Sequence, residues 1–291
     1  MNWQAISSGI TYNLNDAAPF SVVAVSGVGI GPVRRLSQQG PFQHGDSDLG
    51  FRLDARTITL TLHLADQTLG ALDAARDTLQ AIFRPRSSAV SLRATRDDGA
   101  TRQIDAHVVN MFDWPIGVPE RIGASQRAVV QLRCPDPAWY DPTGLALTLD
   151  AISNSTRGYP IPLVVPNVQT PGSAIDGTDT ITYTGTWPEY PVIYLTGPLT
   201  NPVLTHITLG LTLDFTGVTI ASGKTYVIDL RYGYKTVTDG DGANAIDELT
   251  AASDLADWRL EPGNNDINLV ATGATAASAA RLTYSLRYAG L

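Results

Sequence analysis

The chain has one cysteine, Cys134, in 291 residues. An internal disulfide is excluded, and so is a zinc site built from several cysteines. Lysine is nearly missing as well: it occurs only at Lys224 and Lys235, and every other basic side chain apart from histidine is arginine. Charged residues make up 16 %, below the ~25 % usual in globular proteins. No apolar run approaches the ~18 residues needed to cross a membrane as a helix. The opening residues Met1-Asn2-Trp3-Gln4-Ala5-Ile6 carry no charged segment followed by an apolar one, so no secretory signal is expected and synthesis in a cytoplasm is. The formal net charge is −8, against nucleic acid as a main partner, because phosphate binding needs clustered Lys and Arg.

What is present points to a folded chain. Hydrophobic residues make up 43 %, and the length suggests two domains. A surface poor in charge favours association, so part of it is expected to be covered by other chains. The arginine bias has two compatible readings. Arginine suits interfaces because its planar fork pairs bidentately; equally, a high-GC genome replaces Lys codons by Arg codons.

Residues Arg56 to Leu64 alternate strictly, with Ile58, Leu60, Leu62 and Leu64 on one face, and form the clearest strand. One helix is expected from Thr68 to Phe83, from the spacing of Leu69, Leu72, Ala75, Leu79 and Ile82, with Asp66 as cap and Pro85 as stop. Strands follow at Val90–Thr95, Arg102–Val109 and Ala128–Arg133, the first two joined by a turn at Asp97-Asp98-Gly99. Residues 34 to 50 read as a long loop or hairpin. Later alternating runs at Ile207–Phe215, Tyr226–Tyr232, Ile267–Ala271 and Leu282–Tyr288 suggest a β-sandwich, with a short turn of helix over Asp254–Leu260. The stretch from Ser153 to Tyr190 mixes connections with short strands. Two Pro-rich corners stand out, Cys134-Pro135-Asp136-Pro137-Ala138-Trp139-Tyr140 and Gly197-Pro198-Leu199-Thr200-Asn201-Pro202; the first is expected to close a domain and the second to open one.

Catalytic and cofactor motifs do not assemble. Gly27-Val28-Gly29-Ile30-Gly31 lacks the spacing of a dinucleotide loop and no amphipathic helix follows it. His44, His63, His107 and His206 are far apart and are expected to be structural or exposed; Cys134 has no evident histidine partner and is expected to be buried. Asp239-Gly240-Asp241-Gly242, with Asn244, Asp247 and Glu248, is acidic enough for calcium but fails the EF-hand pattern, and a hairpin tip explains the same letters. Asp176, Asp179 and Glu189 raise the question of a glycosidase pair, whose separation sequence does not fix. Trp187, Tyr190, Tyr232 and Tyr234 would stack on a sugar ring if they came together, or else pack in a core or an interface. Asn154-Ser155-Thr156 is a glycosylation sequon without a secretory signal.

In order and spacing, the strand, single helix and hairpin, the D-P-x-W-Y corner at Asp136–Tyr140, the Gly197–Pro202 corner and the turn Leu260-Glu261-Pro262-Gly263-Asn264-Asn265-Asp266-Ile267 resemble the distal tail proteins (Dit) of long-tailed, siphovirus-like bacteriophages and related prophages. The resemblance spans nearly the whole chain. It implies a mainly β fold: residues 1–145 as a ring-forming N-terminal β-sandwich with one helix and a hairpin, and residues 146–291 as a galectin-like or carbohydrate-binding-module-like β-sandwich. It implies a non-enzymatic virion protein without cofactor, placed at the tail tip as a homo-oligomeric ring, usually a hexamer. Its partners would be the tail tube protein, the tail hub and receptor-binding or fibre proteins, with no membrane insertion. Pro135, Pro137, Trp139 and Tyr140 are then expected at the inter-domain corner. Arg34, Arg35, His44, Asp97 and Asp98 are candidates for the ring interface, because exposed hairpins align backbone groups for pairing. The alternative is a carbohydrate- or receptor-binding module at the tail tip, although no inserted module of receptor-binding size is visible.

Overall fold

The computed structural model describes residues 1–15, 19–110, 112, 114, 121–150 and 174–291. These residues fall into two compact units: Met1–Pro142 with Arg287–Leu291, and Thr143–Leu286. The sequon at Asn154 lies outside the described residues, as does the first part of the Ser153–Tyr190 stretch.

The first unit contains β1 (Asn2–Ser7), β2 (Ile10–Asn13), β3 (Phe20–Ser26), β4 (Val33–Gln38), β5 (Ser47–Leu53), β6 (Arg56–Ala65), α1 (Leu69–Ile82), β7 (Val90–Thr95), β8 (Thr101–Asn110), β9 (Arg121–Ile122), β10 (Ser125–Cys134) and β11 (Trp139–Tyr140). The second contains β12 (Leu145–Asp150), β13 (Ala174–Tyr183), β14 (Val192–Thr196), β15 (Leu199–His206), β16 (Leu211–Asp214), β17 (Thr219–Ile220), β18 (Thr225–Asp229), β19 (Thr236–Thr238), β20 (Gly263–Thr272) and β21 (Ala279–Tyr284). The last strand, β22 (Arg287–Tyr288), returns to the first unit.

In the first unit the strands run in the order β2-β1-β7-β8-β10-β6-β3. The pivot is β8. Its first part, Thr101–Ala106, pairs with β7, and His107, Val108 and Asn110 pair with β10. Because β8 changes partner along its length, the sheet covers one core from two sides. Ala5, Leu92 and Ala94 from one half meet Ile58, Leu60, Leu62, Val130 and Leu132 from the other, and all are buried. The expected alternation of β6 is obeyed: Ile58, Leu60, Leu62 and Leu64 are inside, and the intervening residues are not. Helix α1 adds Leu72, Ala75, Leu79 and Ile82 to the same core. Its cap is Thr68, whose Oγ1 accepts from Ala71 N at 3.2 Å, rather than Asp66, which turns back to accept from Gln67 N. Gly27 has a positive φ, and a Cβ there would sit 2.1 Å from Thr57 O. Gly27 therefore serves a close approach to β6, not a phosphate loop.

The second unit is built from two five-stranded antiparallel sheets, β12-β21-β14-β18-β19 and β13-β20-β15-β16 with β17 on β15. Between them lies a core that includes Ile193, Leu195, Phe215, Ile228, Trp258, Ile267 and Leu282. Four expectations need correction here. The run Ile207–Phe215 is broken by a tight turn, in which Gly210 N donates to His206 O at 2.8 Å. The short turn of helix over Asp254–Leu260 is narrower than expected: it is confined to one turn, in which Trp258 N donates to Asp254 O at 3.0 Å, and Asp254 is tied to β16 through Thr212. The Gly197–Pro202 corner lies inside the second unit, where Gly197-Pro198 joins β14 to β15 and Asn201-Pro202 forms an irregularity within β15. The run Leu282–Tyr288 splits after Tyr284, and its end belongs to the first unit.

Candidate interaction surfaces

Three surfaces carry the side chains singled out by sequence. The first is the β4–β5 hairpin, a two-stranded sheet on its own. Most of its residues are exposed on both faces. Arg34 pairs with Asp54 at 3.1 Å and Arg35 with Asp48 at 3.1 Å, so both arginines are committed within the hairpin arm. His44 is exposed in the connecting loop. Sequence reasoning missed the apolar part of this arm: Phe42 is fully exposed and Leu49 61 % exposed, with Val33 and Phe51 about half exposed. Large apolar residues inside a polar, Gly-rich stretch were the available signal. Asp97 and Asp98 sit apart from the arm, on the β7–β8 turn. Asp97 pairs with the N-terminal amine at 2.6 Å, which holds its carboxyl below the usual range, and Asp98 Oδ1 accepts from Ala100 N.

The second surface is the corner Cys134–Tyr140. Trp139 is fully buried in the core of the first unit and meets Trp3 edge to face, ring centroids 6.4 Å apart. Tyr140 accepts from Gln103 Nε2 at 2.7 Å and donates to Asp105, and burial pushes its phenol up to about 12. Pro135 is exposed and Pro137 partly buried. Cys134 is buried, and burial pushes its thiol up to about 12, the opposite of an activated nucleophile. The strand β22 closes this region: Trp139 lies opposite Tyr288 and Tyr140 opposite Arg287. Arg102 lies over the Tyr288 ring at 3.8 Å and donates to Gly290 O, while the guanidinium of buried Arg56 donates to Gly29 O and Ala289 O, both at 2.7 Å. Sequence gives no sign of either arginine's role, because the groups they donate to are backbone carbonyls, which leave no mark in sequence.

The third surface belongs to the second unit. Tyr190 and Tyr232 come together, with ring centroids 4.5 Å apart and hydroxyls at 3.0 Å. Lys235 Nζ stands 4.1 Å from the Tyr190 ring centroid and donates to Ala256 O at 3.0 Å; burial lowers its ammonium to about 8. Tyr234 packs under Arg231, whose guanidinium is gripped by the Asp229 carboxylate. Trp187 does not join this group; its carbonyl accepts from Tyr183 Oη. Beside Tyr190 opens a cleft of about 320 Å³. Among the described residues Glu189 is the one carboxylate that lines it, so these residues do not supply there the carboxylate pair that glycoside hydrolysis uses. Asp176 and Asp179 lie instead on β13, in the opposite sheet.

Among the described residues no group of three or more His, Cys, Asp and Glu is placed to hold a metal. At the acidic hairpin tip, Asp239 Oδ1 accepts from Asp241 N and Ala243 N, and Asp241 pairs with Lys224. His206 is buried between Asn265, at 3.1 Å from its Nε2, and Leu209 N, which donates to its Nδ1.

Two family models match. Residues 7–112 match the phage tail protein RIFT-related domain, and residues 184–288 match the C-terminal domain of siphovirus-type tail components. No curated protein matches the chain. Among solved structures, the chain is similar to the Dit protein of phage SPP1, described as a paradigm of the hub adsorption apparatus in phages infecting Gram-positive bacteria, with 13 % identity, a TM-score of 0.64 and 98 % of each chain covered. The activated baseplate of phage P2 contains a chain at 9 % identity and TM-score 0.46, with 97 % of each covered. The two domain matches lie in the family's order and together take in most of the chain, and the fold of SPP1 Dit runs through both units: the chain belongs to the siphovirus distal tail (Dit) proteins, structural components of the phage tail.

Proposed function

We propose that copies of this chain form a closed ring, a hexamer, at the distal end of a phage tail tube, and that the ring joins the tube to the tail hub and to receptor-binding or fibre proteins. The first unit is the ring-forming domain in this reading. The second is a galectin-like sandwich that faces the peripheral proteins, and the protein performs no catalysis.

The observation that carries the reading is the β4–β5 arm. A hairpin of two strands is marginal in water unless its faces are covered. Here both faces are largely exposed, with Phe42 fully exposed and Leu49 mostly so. Apolar side chains presented on a projecting arm fit a heterologous contact, in which each subunit offers one patch and receives another; such contacts close into rings. The low charge of the whole chain agrees with extensive contact between subunits.

Negative-stain electron microscopy of the full chain, with and without its tail tube protein, tests the proposal. Sixfold rings in either sample are the expected result. Dispersed monomers in both samples, at concentrations where tube and chain are each folded, would overturn it.

A further inference from the structure

The cleft beside Tyr190 is lined wholly by residues of the second unit. We propose that it is a binding site for a neutral, hydroxyl-rich saccharide of one or two rings.

Its chemistry narrows the ligand by elimination. Glu189, only 5 % exposed, brings a carboxylate to the cleft, where Oε1 accepts from Ser285 N at 3.4 Å. Arg281 reaches the same cleft from β21, and its side chain has neither a hydrogen bond nor an ion pair among the described residues. Arg231 also lines it, but its charge is matched by Asp229 at 2.6 Å. The cleft therefore offers a strong acceptor and a strong donor with little net charge. A simple anion meets the Glu189 carboxylate and a simple cation meets the arginines. An apolar ligand would strip water from both signs of charge without replacing its hydrogen bonds. A polyol satisfies both at once, because one hydroxyl donates to a carboxylate while its neighbour accepts from a guanidinium.

The walls fit the same ligand. Tyr190 and Tyr284 flank the cleft, and aromatic faces are what a saccharide's C–H surface packs on. Tyr190 is held by the Tyr232 hydroxyl and by Lys235, and Arg231 is fixed by Asp229 and Tyr234, so two of the contacting groups are ordered before a ligand arrives. Between the walls the floor is low: Ala146, Thr283 and Val192 lie opposite one another on β12, β21 and β14. The volume of about 320 Å³ is at the small end of the ~300–1,000 Å³ range of ligand pockets, which limits the ligand to one or two rings.

Saturation-transfer NMR on the full chain, with lactose, maltose and N,N′-diacetylchitobiose as neutral probes and glucose 6-phosphate and hexaglutamate as charged ones, tests the site. Arg281→Gln removes the donor from an exposed position, and Ala146→Trp fills the floor without removing a charged group. Transfer to at least one neutral disaccharide, weakened at least tenfold in both variants while their melting temperatures match the native chain, is the expected result. The proposal is overturned by no transfer to any neutral probe, by transfer that survives either variant, or by stronger binding of either charged probe.

Discussion

Trp139 and Tyr288 face each other in a two-residue antiparallel ladder, so a strand near the middle of the chain is closed by the last one. The second unit is thus, in connectivity, an insertion between two paired strands of the first. Trp139 is fully buried against Trp3, and its indole N–H has no hydrogen-bond partner among the described residues. Its contribution is therefore volume and apolar contact. Trp139→Ala is expected to destabilise the first unit by about 3 kcal/mol, and Trp139→Phe by less, because it keeps part of the buried volume and no hydrogen bond is lost. Hydrogen exchange in peptides covering β1, β7 and β8 reads the effect; equal protection in Trp139→Ala and the native chain would refute it.

Arg56 is a buried cation whose two terminal nitrogens donate to backbone carbonyls while its Nε has no partner among the described residues, and burial lowers its pKa. Arg56→Met keeps the apolar stem but leaves Gly29 O and Ala289 O without their charged donor. Hydrogen bonds to charged groups are worth about 2 kcal/mol, and a loss of that size is expected by denaturant titration. Residues 287–291 should also become more accessible to carboxypeptidase. A loss below about 0.5 kcal/mol would mean that water replaces the guanidinium at no cost.

The parts of this fold legible in the sequence are those governed by local periodicity. Strand β6, helix α1 and the β7–β8 hairpin were readable because their cores face one side, so two-residue and 3.6-residue patterns survive. The errors arose where long-range pairing overrides local pattern. Leu282–Tyr288 reads as one strand, yet Ser285 and Leu286 break it and its two parts serve different units. Strand β13 is hidden by its Gly and Asp, which are poor strand formers; it forms because ten residues pair with β20. The cleft was half visible. Tyr190, Tyr232 and Tyr234 were in view as aromatics, but Glu189 and Arg281 are brought together only by the sheet.

His206 should make the second unit sensitive to acid. Burial lowers its pKa, because the ring is held neutral with Nδ1 accepting from Leu209 N. The unfolded chain takes up the proton as pH falls through ~6.5, whereas the folded chain resists until its lower pKa is passed. The unfolded state therefore binds more protons in that window, and stability falls as pH drops below ~6.5, by up to ~1.4 kcal/mol per pH unit from this group. Above ~7 the group adds no pH dependence. Urea titrations at a series of pH values, comparing the native chain with His206→Gln, isolate the effect from the other histidines. Parallel curves for the two proteins would exclude it.

The projecting arm provides the sharpest separation of assembly from folding. Phe42 is fully exposed and sits at φ 64°, a backbone region that favours Asn over Phe. Phe42→Asn should leave the melting temperature of the isolated chain unchanged or slightly raised. In an assembled ring the same change would forgo the burial of one phenylalanine per interface, about 2 kcal/mol each. Those losses are summed around the ring, so rings should disappear from micrographs at concentrations where the native chain assembles. Sedimentation velocity on both proteins gives the same readout in solution. If Phe42→Asn assembled as the native chain does, the arm would not be the contact, and the shielding of its apolar residues would have to come from the tube or hub rather than from a neighbouring copy.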